Sequence, residues 1–155
     1  RLQLPANTSV SEMIETIKPD ILVGHNLGGY WALKMSQAYH LPCVVANPIL
    51  QPNFRDDYPE ICHGDLQHDI PQFAYLELGD EILDMHAVQA QLEDYMQIQA
   101  VDGGHHRLEH PEQINTLIQE IEQNQCHHRN QNRERRKQYP VKGVQINSLR
   151  SNRCH

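Results

Sequence analysis

Residues 21–33 read ILVGHNLGGYWAL, an apolar run followed by a glycine-framed turn and a helix-like segment. A G-x-S-x-G turn between a strand and a helix presents a serine nucleophile. Its glycines are needed because the turn is strained and bulky neighbours would collide with the adjacent strand and helix. Here Gly24, Gly28 and Gly29 meet that need, with His25 and Leu27 between them, but the central residue is Asn26. An amide nitrogen is no nucleophile, because its lone pair is delocalised into the carbonyl, and no neighbouring base can activate it as it would a hydroxyl. What the turn keeps is a helix N-terminus, whose backbone N–H groups, that of Leu27 included, can stabilise an oxyanion.

A hydrolytic site of this kind also needs a base and a group to orient it. Two downstream blocks offer them, GDEILD at 79–84 and GGHH at 103–106. Each directly follows an apolar run of strand type. Asp80 stands at the end of such a run and is the candidate acid. Asp84 competes, with helix capping as its simpler role. His106 is the candidate base and His105 its neighbour, while His25 suits packing or hydrogen bonding within the turn. Asn47, in Asn47-Pro48, closes the turn after another strand and is the candidate substrate contact. Eleven histidines invite a metal reading, but His63 with His68, and Cys126 with His127 and His128, give no C-x-x-C or H-E-x-x-H spacing. Neither a metal nor a cofactor is expected.

These blocks must be positioned by alternating strands and helices. Ser9 to Glu12 has the spacing of a capping box, and Val10, Met13, Ile14 and Ile17 follow at helical period. Residues 21–23 suit a strand buried on both faces. Leu27 to Tyr39 reads as a helix with Trp31, Met35 and Ala38 on one stripe, and 43–46 as a second buried strand. Residues 47–70 form a long loop with room for one short helix. Strands at 73–78 and 97–101 flank a helix at 86–95. Pro111 opens a last helix with Ile114, Leu117, Ile118 and Ile121 on its apolar face. This alternation predicts an α/β fold, a parallel sheet with helices on both faces. Ligands of such sheets bind beyond the carboxyl ends of the strands, where the three glycine-bearing blocks fall.

Charge divides the chain. Residues 1–125 carry 5 Lys and Arg against 19 Asp and Glu, and residues 126–155 carry 8 against one. An acidic body is ill suited to nucleic acid, which requires cations to neutralise phosphates; only the basic tail could make that contact. The expected division is a domain over 1–125 and a disordered tail over 126–155, which lacks an apolar period. No run approaches 18 apolar residues, so no membrane span is expected. The four cysteines form no C-x-x-C pair, which suits a reduced, cytoplasmic protein. The chain begins at Arg1, and RLQLPAN reads like the interior of a longer sequence. A truncated N-terminus is therefore expected, and oligomeric state is left open.

Taken together, LVGHNLGGYWALKMSQ, LPCVVANPILQP, LELGDEILD and VDGGHHRLEHPEQ resemble the YqiA-like esterases, small bacterial α/β-hydrolases, over roughly residues 2–123. The resemblance implies an α/β-hydrolase fold and hydrolysis of small acyl esters, or of thioesters, by a Ser-His-Asp mechanism. Position by position it sets the nucleophile at Asn26, the acid at Asp80 with Asp84 as competitor, and the histidine at His106. The chain departs from the family twice. Asn26 replaces the serine, and no H-G-F-type turn, the family's source of a second oxyanion donor, precedes the first block. The strand that carries that turn is expected to be missing, which would leave a sheet edge open. Loss of a nucleophile costs on the order of 10⁶ in turnover, and loss of one oxyanion donor about 10²–10³. The chain is therefore expected to be an inactive or impaired esterase; the contrasting expectations are a non-catalytic binding protein on the same fold and a decayed gene fragment.

Overall fold

The structure, a computed structural model, describes residues 9–138 of the 155. Helix α1 spans Val10–Ile17, and the Ser9–Glu12 capping box is formed in both directions. It leads through a left-handed Lys18 to strand β1 (Leu22–His25), helix α2 (Leu27–Tyr39) and strand β2 (Cys43–Ala46). The long loop that follows holds one short helix, α3 (His63–Leu66). Strand β3 (Gln72–Glu77), helix α4 (Met85–Leu92) and strand β4 (Gln97–Val101) come next, and helix α5 (Glu112–Gln138) closes the described chain.

The four strands pair in parallel in sequence order, with Val23 opposite Val44, Val44 opposite Phe73 and Phe73 opposite Gln97. Side chains alternate across a sheet, so the strands feed two cores. Val45, Ala74 and Leu76 pack with Leu33 of α2 and Met85, Val88 and Leu92 of α4. Val44, Phe73 and Tyr75 pack with Leu117 and Ile121 of α5. Helices therefore cover both faces, as the α/β pattern predicts.

Three expectations change. The strand of residues 21–23 is not buried on both faces: β1 is an edge among the described residues, and Val23 is 49% exposed. Helix α2 buries Gly29, Tyr30, Ala32, Leu33 and Ser36 rather than a Trp31–Met35–Ala38 stripe. Trp31 and Met35 line an apolar groove with Val10 and Ile17 of α1, and Ala38 is exposed. The tail, read as disordered from residue 126, is helical to Gln138 because α5 continues past Gln125. Its residues beyond that point lack an apolar stripe, but Gln, Arg, Glu and Lys are good helix formers and Pro140 is the first strong breaker. The rest of the expected tail, 139–155, lies outside the described residues.

Candidate functional site

The turn from β1 to α2 has the backbone of a nucleophile elbow. Asn26 adopts φ 56° and ψ −116°, a strained combination that directs its side chain away from both elements. Its backbone is tied down on every side. Its N–H donates to the Ala46 carbonyl at 3.2 Å, and its own carbonyl accepts from Gly29, Tyr30 and Ile49 at 3.1–3.3 Å. Sterics fix the rest of the turn. A Cβ on Gly24 would overlap the Gly28 carbonyl, and one on Gly29 would lie 2.7 Å from the Pro48 Cβ. Gly28, expected to be needed as well, has open space where a Cβ would point. Leu27 is the first residue of α2, so its N–H has no acceptor within the helix.

The other two blocks meet Asn26 beyond the ends of the strands. Asn26 Nδ2 lies 2.9 Å from His106 Nε2. On the far side of the imidazole, Nδ1 lies 3.2 Å from Asp80 Oδ2 and 3.3 Å from Oδ1. A carboxylate only accepts hydrogen bonds, so Nδ1 carries the proton facing Asp80. Nε2 of the neutral ring is then free to accept from the Asn26 amide. Asn26 Oδ1 is buried without a hydrogen-bond partner among the described residues. The His106 side chain is 26% exposed, whereas that of Asp80 has no exposed surface. Burial pushes the Asp80 carboxyl pKa upward. The N–H groups of Leu83 and Ile82, the Asn47 amide and His106 together outweigh it and hold the pKa below the usual carboxylate value.

Asp84 stands apart from this line: its Oδ1 accepts from Ala87 N–H at 3.1 Å and caps α4. His25 Nε2 lies 3.2 Å from the His106 carbonyl oxygen and steadies that loop from the β1 side. His105 points to the rim, 3.6 Å from Glu81 and 3.2 Å from Glu109. Asn47, expected to touch substrate, does not reach the surface: it is 0% exposed and its amide is spent on the protein. Its Oδ1 accepts from Glu77 N–H at 2.9 Å, and its Nδ2 donates to the Glu77 carbonyl at 3.2 Å and to Asp80 Oδ2 at 3.1 Å. Asn47 holds the acid in place.

Two acidic residues escaped the sequence reading. Glu81 accepts the His106 backbone N–H at 3.0 Å. Glu77, at the end of β3, is completely buried. It shares the face of Phe73 and Tyr75, and that period of two, placing an acid on an otherwise apolar strand face, was the available signal. Among the described residues no group of three or more His, Cys, Asp or Glu side chains is arranged to hold a metal ion, and no helix is long and apolar enough to cross a membrane.

Fold and site together describe an α/β protein with a parallel sheet whose strand ends gather an elbow, a carboxylate and a histidine. Residues 4–58 match the model of a family described as Uncharacterised protein family (UPF0227), which contains the YqiA-like esterases. The match takes in the elbow and Asn47 and ends before Asp80 and His106, and it supports the family-level resemblance seen in the sequence. No curated protein matches the chain.

Proposed function

We propose that this chain carries an acyl-ester hydrolase site of the YqiA-like type in which asparagine occupies the nucleophile's place. The supporting observation is the line from Asn26 Nδ2 to His106 Nε2 at 2.9 Å and on from His106 Nδ1 to Asp80 Oδ2 at 3.2 Å. A serine hydroxyl at position 26 would meet an imidazole nitrogen able to take its proton as the oxygen attacks the ester carbonyl. Asp80 would stabilise the imidazolium formed, and the Leu27 N–H would face the developing oxyanion. With an amide in that place the proton transfer has no nucleophile to serve. The unaltered chain therefore binds small acyl esters or thioesters and does not turn them over.

The test is hydrolysis of p-nitrophenyl butyrate by the unaltered chain, by Asn26→Ser and by Asn26→Ser with His106→Ala, each first shown to be folded by circular dichroism. Hydrolysis is expected only with the serine substitution alone. A folded Asn26→Ser variant that stays at background removes the esterase reading. Asn26 itself favours a second reading, a binding module that never hydrolyses. That reading is carried if the folded serine variant is inert while the unaltered chain binds a non-hydrolysable ester analogue.

A further inference from the structure

Glu77 is a buried acid that the proposed chemistry does not use. Glu77 is 0% exposed, and its carboxylate accepts three hydrogen bonds. Oε2 accepts from the Tyr75 hydroxyl at 2.9 Å and from His110 N–H at 3.1 Å, and Oε1 accepts from Glu109 N–H at 2.8 Å. These amides lie three and four residues beyond His106, just before α5 begins. On the other side of the same loop Gly104, at φ +81°, packs so closely that a Cβ would overlap Glu77 Oε1. The loop bearing His106 is thus gripped on both sides by a single carboxylate. The backbone of Glu77 is bonded in turn to Asn47, which also holds Asp80.

We infer that Glu77 is the positioning residue of this site: it sets the height of the His106 loop over the sheet so that Nδ1 meets Asp80 and Nε2 meets position 26. The inference rests on the proposed reading for its purpose, but the geometry can be tested without catalysis. A carboxylate suits the task because it can accept several N–H bonds at once. Glutamine has the same shape, yet its NH₂ group would confront a backbone N–H that it cannot accept.

The experiment is Glu77→Gln, read by the Nδ1–H proton signal of His106 in NMR, with Asn26 in place. That proton is held from exchange while it is bonded to Asp80, so release of the loop should broaden or abolish its signal. Val88→Ala is the control, because it loosens the other core, none of whose members belongs to the loop. It should lower thermal stability and leave the His106 Nδ1–H signal in place. In the Asn26→Ser background, Glu77→Gln should lower kcat about 10²-fold with KM little changed, the cost of a misplaced base. An undiminished His106 Nδ1–H signal in folded Glu77→Gln overturns the inference, even if Asn26→Ser proves active. Its loss supports the inference even if no ester is ever hydrolysed, so the two readings fail separately. Should Glu77→Gln not fold, amide exchange in the unaltered chain decides. Glu109 and His110 N–H protected from exchange support the grip, and exchange at open-loop rates overturns it.

Discussion

Two polar layers lie one above the other at the ends of the strands, and they differ in how completely they are bonded. In the outer layer, Asn26, His106 and Asp80 line up, but Asn26 Oδ1 has no partner among the described residues and His106 keeps 26% of its side chain exposed. In the inner layer, Asn47, Glu77 and Tyr75 are wholly or almost wholly buried, and the amide and carboxylate meet partners on several sides. Buried polar groups left unpaired are costly, so an inner layer must be complete or absent. The outer layer carries such an unpaired group at Asn26 Oδ1, which is buried as well. The contrast teaches that a substitution at position 26 disturbs fewer side-chain hydrogen bonds than one at Asn47 or Glu77.

The sharpest test of this division is Asp80→Asn in the Asn26→Ser background. The fold should persist while kcat falls by about 10⁴, the cost of losing the carboxylate that sets the imidazole tautomer. Asn47→Ala should do the reverse in kind. It strands the Glu77 N–H and deprives Asp80 of a donor, and should lower unfolding free energy by about 2–3 kcal/mol in urea. A smaller loss would mean that the inner layer is less essential than its bonding implies.

Acid offers a graded version of the same test. Burial pushes the Glu77 pKa up, but the Glu109 and His110 N–H groups and the Tyr75 hydroxyl more than offset it, leaving the pKa below its ordinary value, as for Asp80. A depressed folded pKa contributes stability that is fully present above the unfolded carboxyl value, about 4. That contribution is lost as pH falls through the lower folded values. The urea midpoint should therefore drop below about pH 4, and the drop should be shallower in Glu77→Gln. The smallest effect belongs to Asp84→Ala, which removes the α4 cap for about 1 kcal/mol and should leave esterase activity in the Asn26→Ser background unchanged. A large activity loss there would move the acid from Asp80 to Asp84.

The sequence revealed the elements and the outer layer better than the inner one. Apolar period and breakers placed β1 to β4 and helices α1, α2 and α4 near their observed bounds, because each strand run ends in a Gly, Asn or Asp that also marks the site; α3 was given no bounds, and α5 runs on to Gln138. Asp80 and His106 stood out because they follow glycine-bearing strand ends. Asn47 was noticed but given to the substrate, since only the fold reveals that Glu77 and Asp80 surround its amide. Glu77 was missed because an acid at the end of an apolar strand looks like its solvated terminus. Its backbone donors come from 109 and 110, 32 and 33 residues away in sequence. The exposure of Val23 depends on which strands adjoin β1, which the composition of β1 does not encode.

The tightness of the elbow has one further consequence. Gly24 and Gly29 are pinned by the Gly28 carbonyl and by Pro48, and the backbone of residue 26 by Ala46 and Ile49, so backbone bonds and glycine packing hold the turn. The apex can therefore change by mutation while the scaffold stays as it was. Asparagine and serine codons of the AAY and AGY types differ by one base. In evolutionary terms a serine at the apex would lie a single nucleotide step away.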